Sequence, residues 1–475
     1  MSGLAELSLF DAAKTLANGE ATSVELLDAY FARLDAFEGK VNATIWVDRE
    51  GALQEAREAD RARSEGRATG RLHGLPLAHK DMYYQAGKRC TCGSAIRRDF
   101  VPDVTATVIE RLSAAGAFTF AGLNMAEFAQ NPTGHNRAFG DCHNPWNLPY
   151  ITGGSSSGSG AAVAARFVTA ALGSDTGGSI RLPAAACGVT GLKPTQTRVS
   201  RAGVMPLSFS CDNVGPLART ARDGAVIMGL IAGADPKDPT CATNPVPDYE
   251  AALTGDIRGL RVGLPTTYFF DGADAQVVAA VEAAADVLRA RGASVTRLPL
   301  PLMDAVSAYV AIISRVEGAT IHATWMRDRS ADYAAHLSGR LYPGYAIPGT
   351  YYVEALSRRG PILQEFAKQV FSQVDVLLTP TIASCLPTLA ETDIDHGPAG
   401  TEKRFMAVSA NTRPFNYLGL PAVSVNAGFD SNGLPIGLQI AGRPFAEARL
   451  LQVADAFQRD TEWHLPMPTA VQGVA

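Results

Sequence analysis

Residues 151–194 read ITGGSSSGSGAAVAARFVTAALGSDTGGSIRLPAAACGVTGLKP, and no other stretch constrains the chain so tightly. Two Ser/Gly clusters, GGSSSGSG and SDTGGS, stand on either side of an Ala-rich segment. One such cluster alone reads as a flexible loop. Two of them flanking a segment with the composition of a buried helix, with no polar linker around them, call for another explanation. Upstream, Lys80 closes the apolar run in GLPLAHKD, where a purely structural lysine is out of place. A lysine with two serines presented on glycine turns is one way to make a nucleophile without histidine.

The 475 residues suffice for two or three average domains or for one large α/β domain. With 47% apolar and 19% charged residues, a sizeable core is available and disorder is disfavoured. A net charge of −5 without a long basic run leaves no electrostatic footprint for nucleic acid or an anionic membrane. The opening MSGLAELSLFDAAKTLANGE lacks the charged and apolar regions of a signal peptide. The longest apolar stretches, near 161–172 and 224–233, are too short for a membrane span or are broken by Arg166. Seven scattered cysteines, with Cys90 and Cys92 as the one close pair, show neither disulfide nor zinc spacing, so free thiols and a cytoplasmic location are expected.

Along the chain, the first 65 residues read as helices, with Thr22 and Ser23 capping VELLDAYFARLDAFE. From Leu72 the pattern becomes strand LPLAHKD, helix TATVIERLSAAG, strand AFTFAGLN and short helix MAEFA. RVGLPTTY, QVVAAVEAAADVLRARG and ASVTRLPLP continue the alternation after residue 260, while 236–256 and 386–403 have loop composition. Apolar strands alternating with helices indicate an α/β architecture with a covered sheet. No linker is evident, which favours one domain over two.

These motifs closely resemble those of the amidase signature family of serine hydrolases. Ser179 follows Ser155 by 24 residues and Ser155 follows Lys80 by 75, spacings that match the family's Ser–cis-Ser–Lys triad. The resemblance is dense from about residue 60 to 220 and resumes at VDVLLTPT (374–381) and from RPFNYLGLPAVSV to GLPIGLQIAGR (413–443). It implies one large mixed, mostly covered β-sheet packed between α-helices. A helical segment over 1–65 would pack on a single amidase domain over 66–475, whose signature core spans about 70–220. It also implies Ser179 as nucleophile, Ser155 as the bridging serine after a cis peptide bond, and Lys80 as the base. Ser157 stands where the family usually has glycine.

Amide hydrolysis needs an activated nucleophile, stabilisation of the tetrahedral oxyanion and a proton for the departing nitrogen. Lys80 must be neutral to serve, and burial lowers a lysine pKa by roughly 3–5 units. Asp81, next in the chain, opposes that shift if it points inward. An ordinary surface lysine after a strand is the plain alternative, outweighed here by the two serine motifs. In SDTGGS, Gly177 and Gly178 free the backbone so that N–H groups of Thr176, Gly177, Gly178 and Ser179 can converge as an oxyanion hole. Each such donor is worth about 2.7–4 kcal/mol in comparable hydrolases. Asp175 and Arg181 flank the nucleophile and are expected to hold its loop. By resemblance, Phe128, Ala129 and Gln130 line the acyl pocket, and the remaining walls are expected from loops between 300 and 410. His135 and His143 lack a Gly-x-Ser-x-Gly elbow and read as polar loop residues.

The leading expectation is a hydrolase of a small, uncharged acyl amide, acting without metal or cofactor, alone or as a homodimer. The second is the glutaminase component of a tRNA-dependent amidotransferase complex. By resemblance that component carries an Asp seven residues before the Asn of its NLAGLP segment; here the Asn is Asn416 and the position holds Ser409. A third, an anion-binding module, lacks the P-loop lysine. Since neither Cys nor His has ligand spacing, full activity should survive exhaustive EDTA and phenanthroline treatment; loss that zinc restores would overturn this expectation.

Overall fold

The computed structural model describes residues 3–473. Its strands are β1 (Thr44–Val47), β2 (Pro76–Lys80), β3 (Phe118–Leu123), β4 (Ala170–Ser174), β5 (Thr190–Lys193) and β6 (Val214–Ala218), followed by β7 (Arg261–Pro265), β8 (Ser294–Leu298), β9 (Val376–Pro380), β10 (Ala422–Phe429) and β11 (Pro435–Gly442). β4 to β11 form one eight-stranded mixed sheet in the order β4–β6–β5–β10–β11–β9–β7–β8. Within it, β7 runs parallel to β8 and β9, and the other pairs are antiparallel. β4, β5, β6, β9 and β11 are buried along their whole length, as strands covered on both faces must be.

The expected large mixed sheet is present, and a second, smaller sheet stands beside it. β2, which ends on Lys80, belongs to a separate three-stranded sheet in the order β1–β3–β2. It lies beside β4 without forming a ladder, because side chains take the place of backbone partners on that edge. Leu172 N–H donates to His79 Nδ1 at 3.2 Å, and Tyr83 O–H donates to the Gly173 carbonyl at 2.6 Å. Burial pushes the His79 imidazole down to about 3, so the ring is neutral and its nitrogen is free to accept. An edge strand buried with unpaired amides would be costly, and these two side chains remove that cost.

The N-terminal residues are helical over Leu9–Ala17, Ser23–Val41 and Arg49–Ser64. Thr22 and Glu25 form a reciprocal capping box at the start of the second helix. β1 interrupts the expected run of helices, since Thr44–Val47 extends to pair antiparallel with β3. A continuous apolar core runs from Leu9 and Tyr30 through Phe120 and Leu172 to Val423 and Phe457. A second cluster centred on Phe269, Ile313, Phe366 and Phe415 supports the helix Met303–Ile321. Among the described residues no helix is long and apolar enough to cross a membrane.

His79→Phe keeps the volume but leaves Leu172 N–H buried without an acceptor. The loss should be about 1–3 kcal/mol, read by urea denaturation, whereas His79→Asn, which still offers an acceptor, should lose less.

Candidate active site

β2 delivers Lys80 into the space between the two sheets, where it is 1% exposed. Its Nζ donates to Ser155 Oγ at 2.7 Å and to Ser174 Oγ at 2.8 Å. Burial pushes the ammonium down to about 7, against the opposing charges of Asp212 and Asp175. Asp81 takes no part, because it points away. Its carboxylate accepts from Trp46 Nε1 at 3.0 Å and from Thr91 N–H at 2.9 Å, and burial pushes it up to about 6. Ser174 is the first residue of SDTGGS, and nothing in that motif alone marks it as a partner of Lys80. Its signal was its place as the polar end of an otherwise apolar strand.

The peptide bond between Gly154 and Ser155 is cis. Ser157 opens the buried helix Ser157–Ala164, and its hydroxyl donates to the Asn124 carbonyl at 3.4 Å, so the departure from glycine is absorbed. At the next position glycine is required by space: a Cβ on Gly158 would lie 2.3 Å from the Ala43 carbonyl oxygen. Ser156 ties the two motifs together. Its hydroxyl donates to the Ser174 carbonyl and accepts from Ser174 N–H, both at 3.3 Å, while its own N–H donates to the Ser179 carbonyl at 3.3 Å.

Ser179 is half-buried and faces a cavity of about 90 Å³. The structure thus joins Lys80 to Ser155 directly and Ser179 to the same loop through its backbone. Among the described residues Ser155 and Ser179 share no side-chain hydrogen bond; such contacts often tighten only when substrate binds. Of the four proposed oxyanion donors, Gly178 must be withdrawn, because its N–H donates to Asp175 Oδ1 at 2.8 Å. Its φ of +135° and the 2.2 Å approach of Thr412 Oγ1 to a hypothetical Cβ make it the glycine that the turn demands. Gly177 has ordinary space around it, with Arg413 Cγ at 3.6 Å from a hypothetical Cβ. Among the described residues the N–H groups of Thr176, Gly177 and Ser179 donate to no protein acceptor.

The loop that carries Ser179 hangs on a fully buried ion pair. Arg181 Nε and Nη2 each donate to the Asp175 carboxylate at 2.9 Å. Arg181 also donates to the Thr412 carbonyl, to Gln439 Oε1 and to Asn416 Oδ1, while Asn416 Nδ2 returns a bond to Asp175 at 2.8 Å. These partners hold Asp175 down to about 2 despite its burial.

The predicted pocket residues separate. Ala129 and Gln130 line the cavity, but Phe128 turns into an aromatic cluster with His322, Trp325 and Tyr333. Instead of loops, much of the far wall is helical: Ser314 and Arg315 come from Met303–Ile321, Arg340 from Ala335–Ala346 and Met406 from Thr401–Ala407. Ser409 is also at the cavity, where Arg413 Nη2 donates to its hydroxyl at 2.6 Å. An uncharged substrate was expected, yet three arginines line this space. His135 pairs with Asp141 and His143 with the Leu148 carbonyl, and neither lines the cavity.

The large mixed sheet and the motifs it carries are those of a family of hydrolases acting on carbon–nitrogen bonds. The chain belongs to the amidase family: the model described as Amidase matches residues 25–451. It is 45% identical over 98% of its length, and 99% of the relative's, to the A-subunit of glutamyl-tRNA(Gln) amidotransferase from Roseiflexus sp. (strain RS-1). A structure described under an unexpected vestigial protein complex that reveals the origins of an s-triazine catabolic enzyme is 32% identical. It superposes with a TM-score of 0.89 over 96% of this chain and 98% of that one. 6-Aminohexanoate cyclic dimer hydrolase with bound substrate superposes with a TM-score of 0.88 at 27% identity, over 98% of this chain and 100% of that one. The curated relatives therefore favour the amidotransferase-component expectation over the independent amidase that the sequence reading ranked first.

Asp175→Asn would leave the Arg181 charge buried without its counter-charge. We expect a loss of about 3–5 kcal/mol by denaturant unfolding. The native contribution should be constant above the ordinary carboxylate range and should fade only as pH drops towards 2.

Proposed function

We propose that the chain hydrolyses the amide bond of a small molecule through an acyl-enzyme on Ser179. The observation that carries this reading is the buried Lys80, held at about 7 and within 2.7 Å of Ser155. Ser179 Oγ attacks the carbonyl carbon; its proton passes to Ser155 as the Ser155 proton passes to the neutral Lys80 amine. The oxyanion is met by the N–H groups of Thr176, Gly177 and Ser179. The carbon–nitrogen bond then breaks, and the proton returns from Lys80 through Ser155 to the leaving nitrogen. Water repeats the sequence on the ester, releasing the acid and restoring Ser179. Ser174, at 2.8 Å from Nζ, fixes the amine so that its lone pair can face Ser155. The free thiols suit a reducing compartment, and a cytoplasmic location belongs to the same reading.

A second reading is favoured by the 45% identity to a component of an amidotransferase: the same chemistry would release ammonia from glutamine within a complex. Ser409 and its neighbour Arg413 weigh against it, because a substrate ammonium would meet a guanidinium there instead of a carboxylate. The purified chain alone, assayed across primary amides, anilides, ureas and glutamine, separates the two. Turnover of a small amide faster than glutamine supports the first reading, and glutaminase activity that appears only with partner proteins and tRNA supports the second.

Ser179→Ala should abolish both turnover and labelling by a fluorophosphonate probe; surviving label would move the nucleophile elsewhere. The neutral amine is the working form of Lys80, so kcat/KM should rise with pH through about 7 and then level off. Lys80→Arg, permanently charged, should be nearly inactive throughout, and Lys80→Ala with an unchanged rate and acid limb would remove the lysine from the mechanism.

A further inference from the structure

A second cavity, of about 380 Å³, reaches the lysine by another route. Ser174 and Asp212 line it, as do the exposed Phe209, Lys237 and Thr240, which open it to solvent. Ser174 Oγ accepts from Lys80 Nζ at 2.8 Å, and among the described residues its own O–H has no protein acceptor. The cavity that faces Ser179, by contrast, touches neither Lys80 nor Ser155. The charges along the second cavity favour a cation in transit. The Asp212 carboxylate stands at its inner end, accepting from Thr176 Oγ1 at 2.5 Å and from the N–H groups of Leu207 and Ser208 at 2.8 and 3.0 Å. Nearer the mouth, Arg201 and Lys237 are matched by Asp238 and Glu110. Of the other ionisable groups around Lys80, Asp175 is paired with Arg181, Asp81 faces Trp46, Cys92 is a free thiol and the His79 ring is neutral.

Amide hydrolysis through an acyl-enzyme releases its acid last. An ordinary carboxylic acid titrates at about 4, whereas Lys80 is held at about 7. An acid formed beside Ser179 therefore passes its proton through Ser155 to Lys80 and departs as the carboxylate. The amine that would have carried this proton away left in the first half of the reaction. Each turnover thus ends with Lys80 as an ammonium, the idle form, and the next begins only when that proton reaches solvent. We propose that Ser174 and the second cavity are the proton exit of Lys80, separate from the entrance used by substrate. Lys80 Nζ gives a proton to Ser174 Oγ as the Ser174 O–H gives its own to a solvent water or buffer base in the cavity. The lysine is left neutral, the hydroxyl is restored, and hydronium or the protonated base carries the charge out. The inference rests on the hydrolase reading for its purpose, and on the cavity and the Lys80–Ser174 bond for its route.

Exchange of the Lys80 Nζ protons with water reads the route without any substrate. It is followed by NMR at about pH 6, where the ammonium predominates, on the full chain with isotopically labelled lysine, assigned through Lys80→Arg. Ser174→Ala should slow the exchange by about 100-fold, the low end of what a positioned proton-transfer group contributes. Ala202→Trp, which fills the second cavity without touching Lys80, should do the same, and Thr240→Trp at the rim replaces it if that chain does not fold. Ser314→Trp, which fills the cavity facing Ser179, should leave the exchange alone. Exchange slowed by Ser314→Trp and indifferent to Ser174→Ala and the second-cavity variant puts the exit at the substrate entrance and overturns the proposal. In rapid-mixing kinetics with an amide that the native chain cleaves, Ala202→Trp should complete its first turnover at the native rate and lag from the second onward. First and later turnovers slowed alike in that variant would also overturn the proposal, since the filled cavity would then be disturbing the site itself. A chain whose exchange responds as expected but which hydrolyses nothing supports the route and sinks only the hydrolase reading.

Discussion

The buried pairing of Asp175 with Arg181 holds the active centre in one piece. Two charges removed from water are tolerable only when every lone pair and proton finds a partner. Here those partners come from far apart in the chain: Thr412 and Asn416 from one segment, Gln439 from β11, and the amides of Gly178 and Ile180 from the Ser179 loop itself. The loop carrying Ser179 is therefore positioned by residues more than two hundred places downstream. The same demand explains why Gly178 N–H cannot serve an oxyanion. Its proton completes the coordination of the carboxylate.

Lys80 depends on the opposite principle. Where Asp175 is kept charged by its neighbours, Lys80 is kept close to neutrality by their scarcity. Its nearest side-chain partners are two serine hydroxyls, and the adjacent Asp81 is turned outward onto Trp46 and Thr91. The outward turn is a consequence of β2 lying in the small sheet, since β1 of that sheet supplies Trp46. His79, also on β2, satisfies the edge of β4 while remaining uncharged, so no second cation competes beside the lysine.

Much of this was legible in the sequence because the relevant residues are local. The Ser/Gly clusters and GLPLAHKD lie within about 120 residues and carry their own spacing. The α/β alternation was equally plain, since strands such as AFTFAGLN and helices such as QVVAAVEAAADVLRARG have distinct periods. What escaped was whatever depends on tertiary closure. TIWV is too short to announce β1 between two strong helices, and the split between sheets turns on two side-chain hydrogen bonds. Phe128 could not be known to face its aromatic cluster. Arg315, Arg340 and Arg413 lie 25 and 73 residues apart, with nothing in their local patterns to bring them to one wall.

That separation divides labour along the chain. The groups assigned to bond-breaking lie between residues 80 and 179, whereas the cations facing them come from 315 to 413, on helices that cross the cavity from outside the serine motifs. A lineage can therefore redraw which molecules it accepts by exchanging single side chains on those helices, without disturbing the chemistry beneath. High overall identity between two such chains then records a shared reaction far more faithfully than a shared diet.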